Sequence, residues 1–264
     1  MNILVCAKQV IDVSEMKVDS ITKKPILQGV PKKISDIDKN ALEEAIKIKD
    51  KNGGKITVIT IGSSDAKERI KELLAMGADE GVLVTAPDNI DYFMTATLIA
   101  EAIKKIGEYD IILCGEASVD LFSGQIGPRL AGLLNIPQIT YAISVTAEKD
   151  KVTADRNMGD KAVTTEATYP ALITVTKEIN EPRLPSLMQI LGAANKPINE
   201  WTSEELSSGL KPLVETIELK GVSMERKNIV YQNDIDESIG KLVDSLAKEG
   251  VIWGWKSNGS CLFR

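Results

Sequence analysis

The chain has 264 residues, 27% of them charged and 43% hydrophobic, with a formal net charge of −6. Histidine is absent, which excludes Ser-His-Asp and Cys-His catalysis, a His-x-Glu deaminase site and any histidine-ligated metal. Aromatic residues make up only 4%, so with the acidic balance the composition argues against a nucleic-acid binder.

The N-terminus, MNILVCAKQV, lacks a basic segment, and Lys8 interrupts its apolar run too early for a signal peptide. No stretch approaches the roughly 20 apolar residues that span a bilayer. A cytoplasmic protein without membrane insertion is expected. Cys6, Cys114 and Cys261 are far apart, and no Cys-x-x-Cys occurs. Two of the three sit in apolar runs, as packing residues of a reducing compartment do.

Runs rich in Val and Ile predict strands over residues 3–7, 55–61, 81–85 and 109–114. Helical periodicity separates them. Ala41, Leu42, Ala45 and Ile46 share one face, as do Ala66, Ile70, Leu73 and Leu74. Leu98, Ile99, Ala102, Ile103 and Ile106 repeat the pattern, and so do Ile126, Leu130, Leu133 and Leu134. Apolar strands alternating with amphipathic helices predict an α/β fold with a doubly wound parallel sheet over about residues 1–145. Further strands are predicted over 138–145, 151–155, 162–167 and 171–176, as antiparallel additions to the sheet. Asn157-Met158-Gly159-Asp160 supplies a turn between two of them.

Asn180-Glu181-Pro182-Arg183-Leu184-Pro185 breaks regular structure with two prolines. Residues 195–232 are polar and poorly periodic, as in an extended arm or linker. A final helix carries the stripe Ile235, Ile239, Leu242, Val243 and Leu246, with Gly250 as its cap. The tail holds Trp253, Trp255 and Phe263 and is expected to dock on a partner or to pack on its own domain. The expected organisation is a nucleotide-binding domain over 1–178, an arm for partner recognition over 179–232, and a C-terminal helix and tail over 233–264.

Ligands of Rossmann-like sheets bind at the carboxyl ends of the strands, where strand order reverses. Three loops qualify. The first is Ala7-Lys8-Gln9. The second is Gly62-Ser63-Ser64-Asp65, where either serine could simply cap the next helix. The third, residues 115–127, places Gly124 and Gly127 at a helix start, where backbone N–H groups and the helix dipole favour a phosphate. Ser123 and Gln125 could add hydrogen bonds there. The alternative for this loop is a structural turn. Lys8 and Arg129 are either phosphate counter-charges or surface cations. No Gly-x-Gly-x-x-Gly follows the first strand and no Walker loop exists. The pairs Glu43-Glu44 and Glu204-Glu205 read as solvated helix faces. The residues alone thus predict a nucleotide-binding protein whose chemistry belongs to a bound cofactor.

Beyond that, the chain resembles the β subunit of electron-transfer flavoproteins. The likeness runs from Ile3 to about Ile198. It is carried by Cys6-Ala7-Lys8-Gln9-Val10, by Leu74-Ala75-Met76-Gly77-Ala78-Asp79, and by Gly124-Gln125-Ile126-Gly127-Pro128. Asn180-Glu181-Pro182-Arg183-Leu184-Pro185-Ser186-Leu187 is close to the family signature. Asp12-Val13-Ser14-Glu15-Met16-Lys17-Val18-Asp19 resembles the branch that performs flavin-based electron bifurcation.

The resemblance implies a heterodimer with an α subunit that carries its own FAD. It implies a second FAD in this chain, or AMP in the simpler branch, where the nucleotide serves assembly only. It implies electron passage between NADH, ferredoxin and a partner FAD-containing dehydrogenase of acyl-CoA or lactate type, with the chemistry carried by flavin. By position, the nucleotide is expected at Cys6, Ala7, Ser35, Asp38, Ile61 and Gly62, and along the loop at Gly115, Val119, Asp120, Ser123, Gly124, Gln125 and Ile126. Leu187 is the expected anchor for the dehydrogenase, or else a core leucine of the arm; it opens a short helix expected over 187–193, from which it projects outward if the stripe Ile190, Leu191 and Ala194 faces inward. The chain departs from the family at Ser35-Asp36, where Asn-Pro is usual, and at Glu116 and Leu121-Phe122 in the loop.

Overall fold

A computed structural model describes residues 1–221, 227–232 and 234–252. The chain divides into two units, Met1–Gly221 and Val222–Arg264. The first is built on a nine-stranded sheet. Its parallel centre comprises β1 (Asn2–Cys6), β6 (Lys55–Gly62), β7 (Glu80–Thr85) and β8 (Ile111–Gly115). Short pieces β2 (Gln9–Ile11), β3 (Lys17–Val18), β4 (Pro25–Ile26) and β5 (Lys32–Ile34) form two small ribbons, β2 with β5 and β3 with β4. The segment 12–19 lies in this excursion.

The helices are α1 (Asp36–Asn52), α2 (Ala66–Met76), α3 (Tyr92–Ile106) and α4 (Ile126–Leu134). Each was predicted from its apolar stripe. Strands β9 (Gln138–Ala147), β10 (Lys151–Asn157), β11 (Ala162–Thr168) and β12 (Ala171–Val175) follow. Then come a 3-10 turn (Lys177–Ile179), α5 (Leu187–Ala193), β13 (Ile198–Thr202) and α6 (Ser203–Leu206).

The strand order is β11-β10-β9-β12-β8-β1-β6-β7-β13. β1 pairs in parallel with both β6 and β8, so the order reverses at β1. One core layer gathers Ile3, Val5, Leu42, Ile56, Leu73 and Leu113, beneath α1 and α2. The other gathers Leu4, Ile59, Val82, Ile103, Ile112 and Leu130, beneath α3 and α4. Alternate residues of β1 thus serve opposite faces, the period-2 rule at work in a doubly covered sheet. The domain is α/β and doubly wound, as expected.

Two readings need refinement. Of the later strands, β10 and β11 are antiparallel additions, but β9 and β12 run parallel to one another, and β12 runs parallel to β8. The stretch after 195 is not linker throughout. β13 joins the sheet edge in parallel with β7, and Lys105 lies 4.4 Å over the Trp201 ring. An edge strand has only one side to bury, so INEWT lacks the apolar run that marks a central strand.

The second unit contains α7 (Ile235–Lys248), where Asp234 accepts from Asp236 N at the N-terminus. Gly250, at φ +72°, follows its last turn as expected. The helix stripe and the preceding segment leave Ile229, Val230, Ile235 and Ile239 exposed around a shallow hollow. Trp253, Trp255, Cys261 and Phe263 lie outside the described residues. Among the described residues no helix is long and apolar enough to cross a membrane.

Candidate functional site

The carboxyl ends of β6, β1 and β8 lie side by side at the reversal point. Cys6 and Ala7 end β1, Ile61 and Gly62 end β6, and Gly115 ends β8. The geometry is organised by Asp38, in the first turn of α1. One carboxylate oxygen accepts Lys8 N–H at 2.9 Å and the other accepts Gly115 N–H at 3.0 Å. A single side chain thus ties the two diverging strand ends together. A Cβ at position 115 would lie 2.6 Å from Asp38 Oδ1 and 3.0 Å from Ile37 Cγ2, so only glycine admits this approach. Burial pushes the Asp38 carboxyl up to about 7, against its two backbone hydrogen bonds, which favour the charged form.

Ser35 stands at the N-cap of α1 but makes no side-chain cap. Its hydroxyl instead accepts Val119 N–H at 3.4 Å, and its own N–H donates to Lys8 O. Helix, first strand and third loop are therefore linked at one point. Lys8 Nζ reaches Asp120 at 2.7 Å. Burial raises the Asp120 carboxyl, but the Lys8 and Ser118 hydrogen bonds outweigh it and the net shift is downward. Lys8 is thus already paired within the site. Gln9 Nε2 donates to Asp65 at 2.9 Å and joins the loop after β1 to the loop after β6. Gln9 Oε1 is buried and finds no partner among the described residues.

Loop 115–126 places Phe122 and Gly124 in the left-handed region, at φ +47° and +64°. Leu121 and Phe122 are exposed. α4 then begins at Ile126, with no acidic residue in its first turn. Gln125 stands at its N-cap without a side-chain cap and accepts from Arg129 Nε at 3.0 Å. Ser123, Gly124, Gln125 and Ile126 are all half-buried. Gly127 has a different purpose from the one its position suggested. A Cβ there would lie 2.5 Å from Thr174 Cγ2, so this glycine lets α4 pack on β12 rather than opening the backbone to a ligand. Near the loop, burial raises the Glu116 carboxyl, helped by Glu178.

These features fit a nucleotide. A helix with no acidic residue in its first turn, left-handed loop backbone and Gln9 Oε1 offer phosphate and hydroxyl partners. The structure brings together Cys6, Ala7, Ser35, Asp38, Ile61, Gly62 and Gly115, with the whole loop beside them. Cys6 contributes backbone only. Its thiol is buried in the core and pushed up to about 12, by burial and then by Asp38, and Cys114 is likewise raised. Both are packing residues, as read from the sequence. Ser63 and Ser64 do not cap α2. Asp65 takes the N-cap position, and Ser63 Oγ donates to its carboxylate.

A second constellation was missed. Glu43 and Glu44 are not on a solvated face but are 4% and 6% exposed. Segment 177–183 covers them. Arg183 grips Glu43 with Nε at 2.9 Å and Nη2 at 3.0 Å. Asn180 Nδ2 donates to Asn40 O and Glu44 Oε2. The available signal was Asn40, Glu43 and Glu44 at i, i+3 and i+4 spacing, with an arginine inside a proline-broken stretch.

Beyond this hold, α5 has the predicted bounds. Leu187 is 71% exposed, and Leu184, Met188, Ile190 and Leu191 are exposed with it. The expectation that Ile190, Leu191 and Ala194 face inward is overturned. Of this helix only Ala193 is buried, because α5 lies on α2 by its C-terminal end. Lys196 then donates to Leu74 O at 2.8 Å and Ala78 O at 2.6 Å, closing the C-terminus of α2.

The model of the electron transfer flavoprotein domain matches residues 25–206. The electron transfer flavoprotein subunit beta of Thermoanaerobacterium thermosaccharolyticum is 40% identical, over 96% of this chain and 100% of that protein. The caffeyl-CoA reductase-Etf complex subunit CarD of Acetobacterium woodii is 35% identical, over 96% and 100%. The acryloyl-CoA reductase electron transfer subunit gamma of Anaerotignum propionicum is 33% identical, over the same shares. With the reversal point, the loops at the strand ends and the signature segment in place, the chain belongs to the electron transfer flavoprotein family, among its β subunits.

Proposed function

We propose that this chain holds FAD, rather than AMP, at the ends of β1, β6 and β8, and works with an α subunit that carries a second FAD. The heterodimer passes electrons between NADH, ferredoxin and a partner flavoprotein dehydrogenase in the cytoplasm, by electron bifurcation or its reverse. The observation that carries the reading is the tie made by Asp38 at the strand reversal, which fixes the loop after β1 against the loop that leads from β8 to α4. The bifurcation-like segment 12–19, which follows β2 directly, supports FAD over AMP. Two relatives, one from a caffeyl-CoA reductase-Etf complex and one an acryloyl-CoA reductase electron transfer subunit, favour a dehydrogenase of acyl-CoA type over a lactate type.

Bound flavin supplies the one- and two-electron chemistry that no side chain here possesses. The chain's own part is binding and orientation. The first-turn amides of α4 and the backbone around Gly124 would hold the phosphates. Ser35 and Asp38 hold the loops at fixed spacing, and Gln9 Oε1 would accept from a hydroxyl or amino group of the nucleotide. The heterodimer, mildly purified, should contain two flavins per αβ unit. One flavin with one AMP would replace the redox reading by the structural one.

A further inference from the structure

We propose that Glu43, Arg183 and Lys196 are positioning residues, which clamp the exposed apolar segment 184–191 at both ends in the conformation that engages the partner dehydrogenase. The inference rests on the docking role that the family resemblance implies for Leu187, and gives that role its mechanical basis.

A helix of seven residues does not persist in water by itself, because nucleation costs more than so few bonds return. This one also keeps its long apolar side chains outside the core. Its N-terminus has a capping box, Ser186 with Gln189, which satisfies end groups but fixes no position in space. Position comes from the flanks. On one side the Arg183 guanidinium forms a planar two-bond fork with Glu43, and the Arg183 N–H also donates to Glu43 Oε2 at 3.1 Å. The Glu43 side chain is 6% exposed, against 39% for Arg183, so the acceptor sits in the body of the protein and the donor belongs to the surface segment that it captures. On the other side Lys196 binds two carbonyls of the α2 C-terminus, and Ala193 is buried against the same helix. The segment therefore bridges α1 and α2. It is ordered at its ends while its apolar side chains stay free. A docking element held this way loses little freedom on binding, which is how pre-organisation raises affinity.

The test uses the αβ heterodimer with Arg183→Ala, Arg183→Lys and Lys196→Met. Amide exchange over 184–193 should quicken at least tenfold in Arg183→Ala and Lys196→Met, and less in Arg183→Lys. If the released segment holds the docking conformation about a tenth of the time, dehydrogenase affinity falls about tenfold. The KM for the heterodimer as electron carrier rises accordingly. The kcat at saturation, the flavin content and the rate of reduction by NADH stay at wild-type values. Unchanged exchange would overturn the clamp. Faster exchange with unchanged affinity would overturn its role in docking, provided that Leu187→Ala weakens binding. If Leu187→Ala also binds normally, the docking reading itself falls, while the exchange data still decide the clamp. Loss of flavin in both Arg183 variants would make the pair a fold contact and overturn the proposal.

Discussion

Asp38 gives up solvent to hold two strand ends, and its carboxyl lies near 7 in consequence. The folded chain therefore binds this proton more tightly than the unfolded chain. This group's contribution to stability is largest below the ordinary carboxylate range, falls as pH rises from there to about 7, and is level above. Urea midpoints of the wild type at stepped pH should carry that fall as one component, beside the opposite trend of carboxyls held low such as Asp120. Asp38→Asn should flatten it, and should cost about 1–3 kcal/mol at neutral pH because its amide nitrogen would oppose one of the two backbone donors. Gly124 and Gly127 separate the two tasks of the third loop. Gly127→Ala should cost roughly 1–3 kcal/mol through the clash with Thr174, measured by denaturant unfolding. Gly124→Leu should lower flavin content towards one per heterodimer, because its bulk occupies the ligand's approach. Both glycines were visible in the sequence as a helix start, but their division of labour was not, since it depends on β12 lying beneath one of them. Glu43 was misread for a related reason. A charged residue on a helix looks solvated until the arginine that covers it is brought back from 140 residues further along.

Among the elements, β1, β6, β7 and β8 and the four large helices were legible because a doubly covered sheet leaves continuous apolar strands and clear stripes. The ribbons β2–β5 and β3–β4 were not, being two or three residues long. α5 was legible in its bounds, through Pro185, Ser186 and the apolar residues that follow, but its facing was not. Periodicity shows that a helix has an apolar side, and the neighbouring elements decide whether that side is covered. Leu187, exposed at the start of α5, should behave as a contact residue. Burying a leucine is worth roughly 1.5–3 kcal/mol, or about one to two decades of affinity. Leu187→Ala should weaken dehydrogenase binding by that order, in titrations where flavin absorbance stays at its wild-type level.

At the scale of the whole molecule, apolar side chains are left exposed in several regions among the described residues, including 184–191 and 213–219 in the first unit and 229–242 in the second. A chain of 28.7 kDa produced without its α subunit should self-associate, and should elute from size exclusion above its own mass. Co-expression with the α subunit should yield one αβ species. A stable, flavin-loaded monomer would contradict the heterodimer. The return of β13 to the edge of the sheet has a consequence for biosynthesis. Ile198 pairs with Gly81, so a growing polypeptide leaves the outer side of β7 unpaired until the ribosome has released everything from α3 to α5. During that interval an open strand carrying Val82, Leu83 and Val84 is a template for the wrong neighbour. A late stretch of the domain is therefore what closes that edge, and a chain stopped before residue 198 should collect in inclusion bodies even though every loop of the candidate site has already been made.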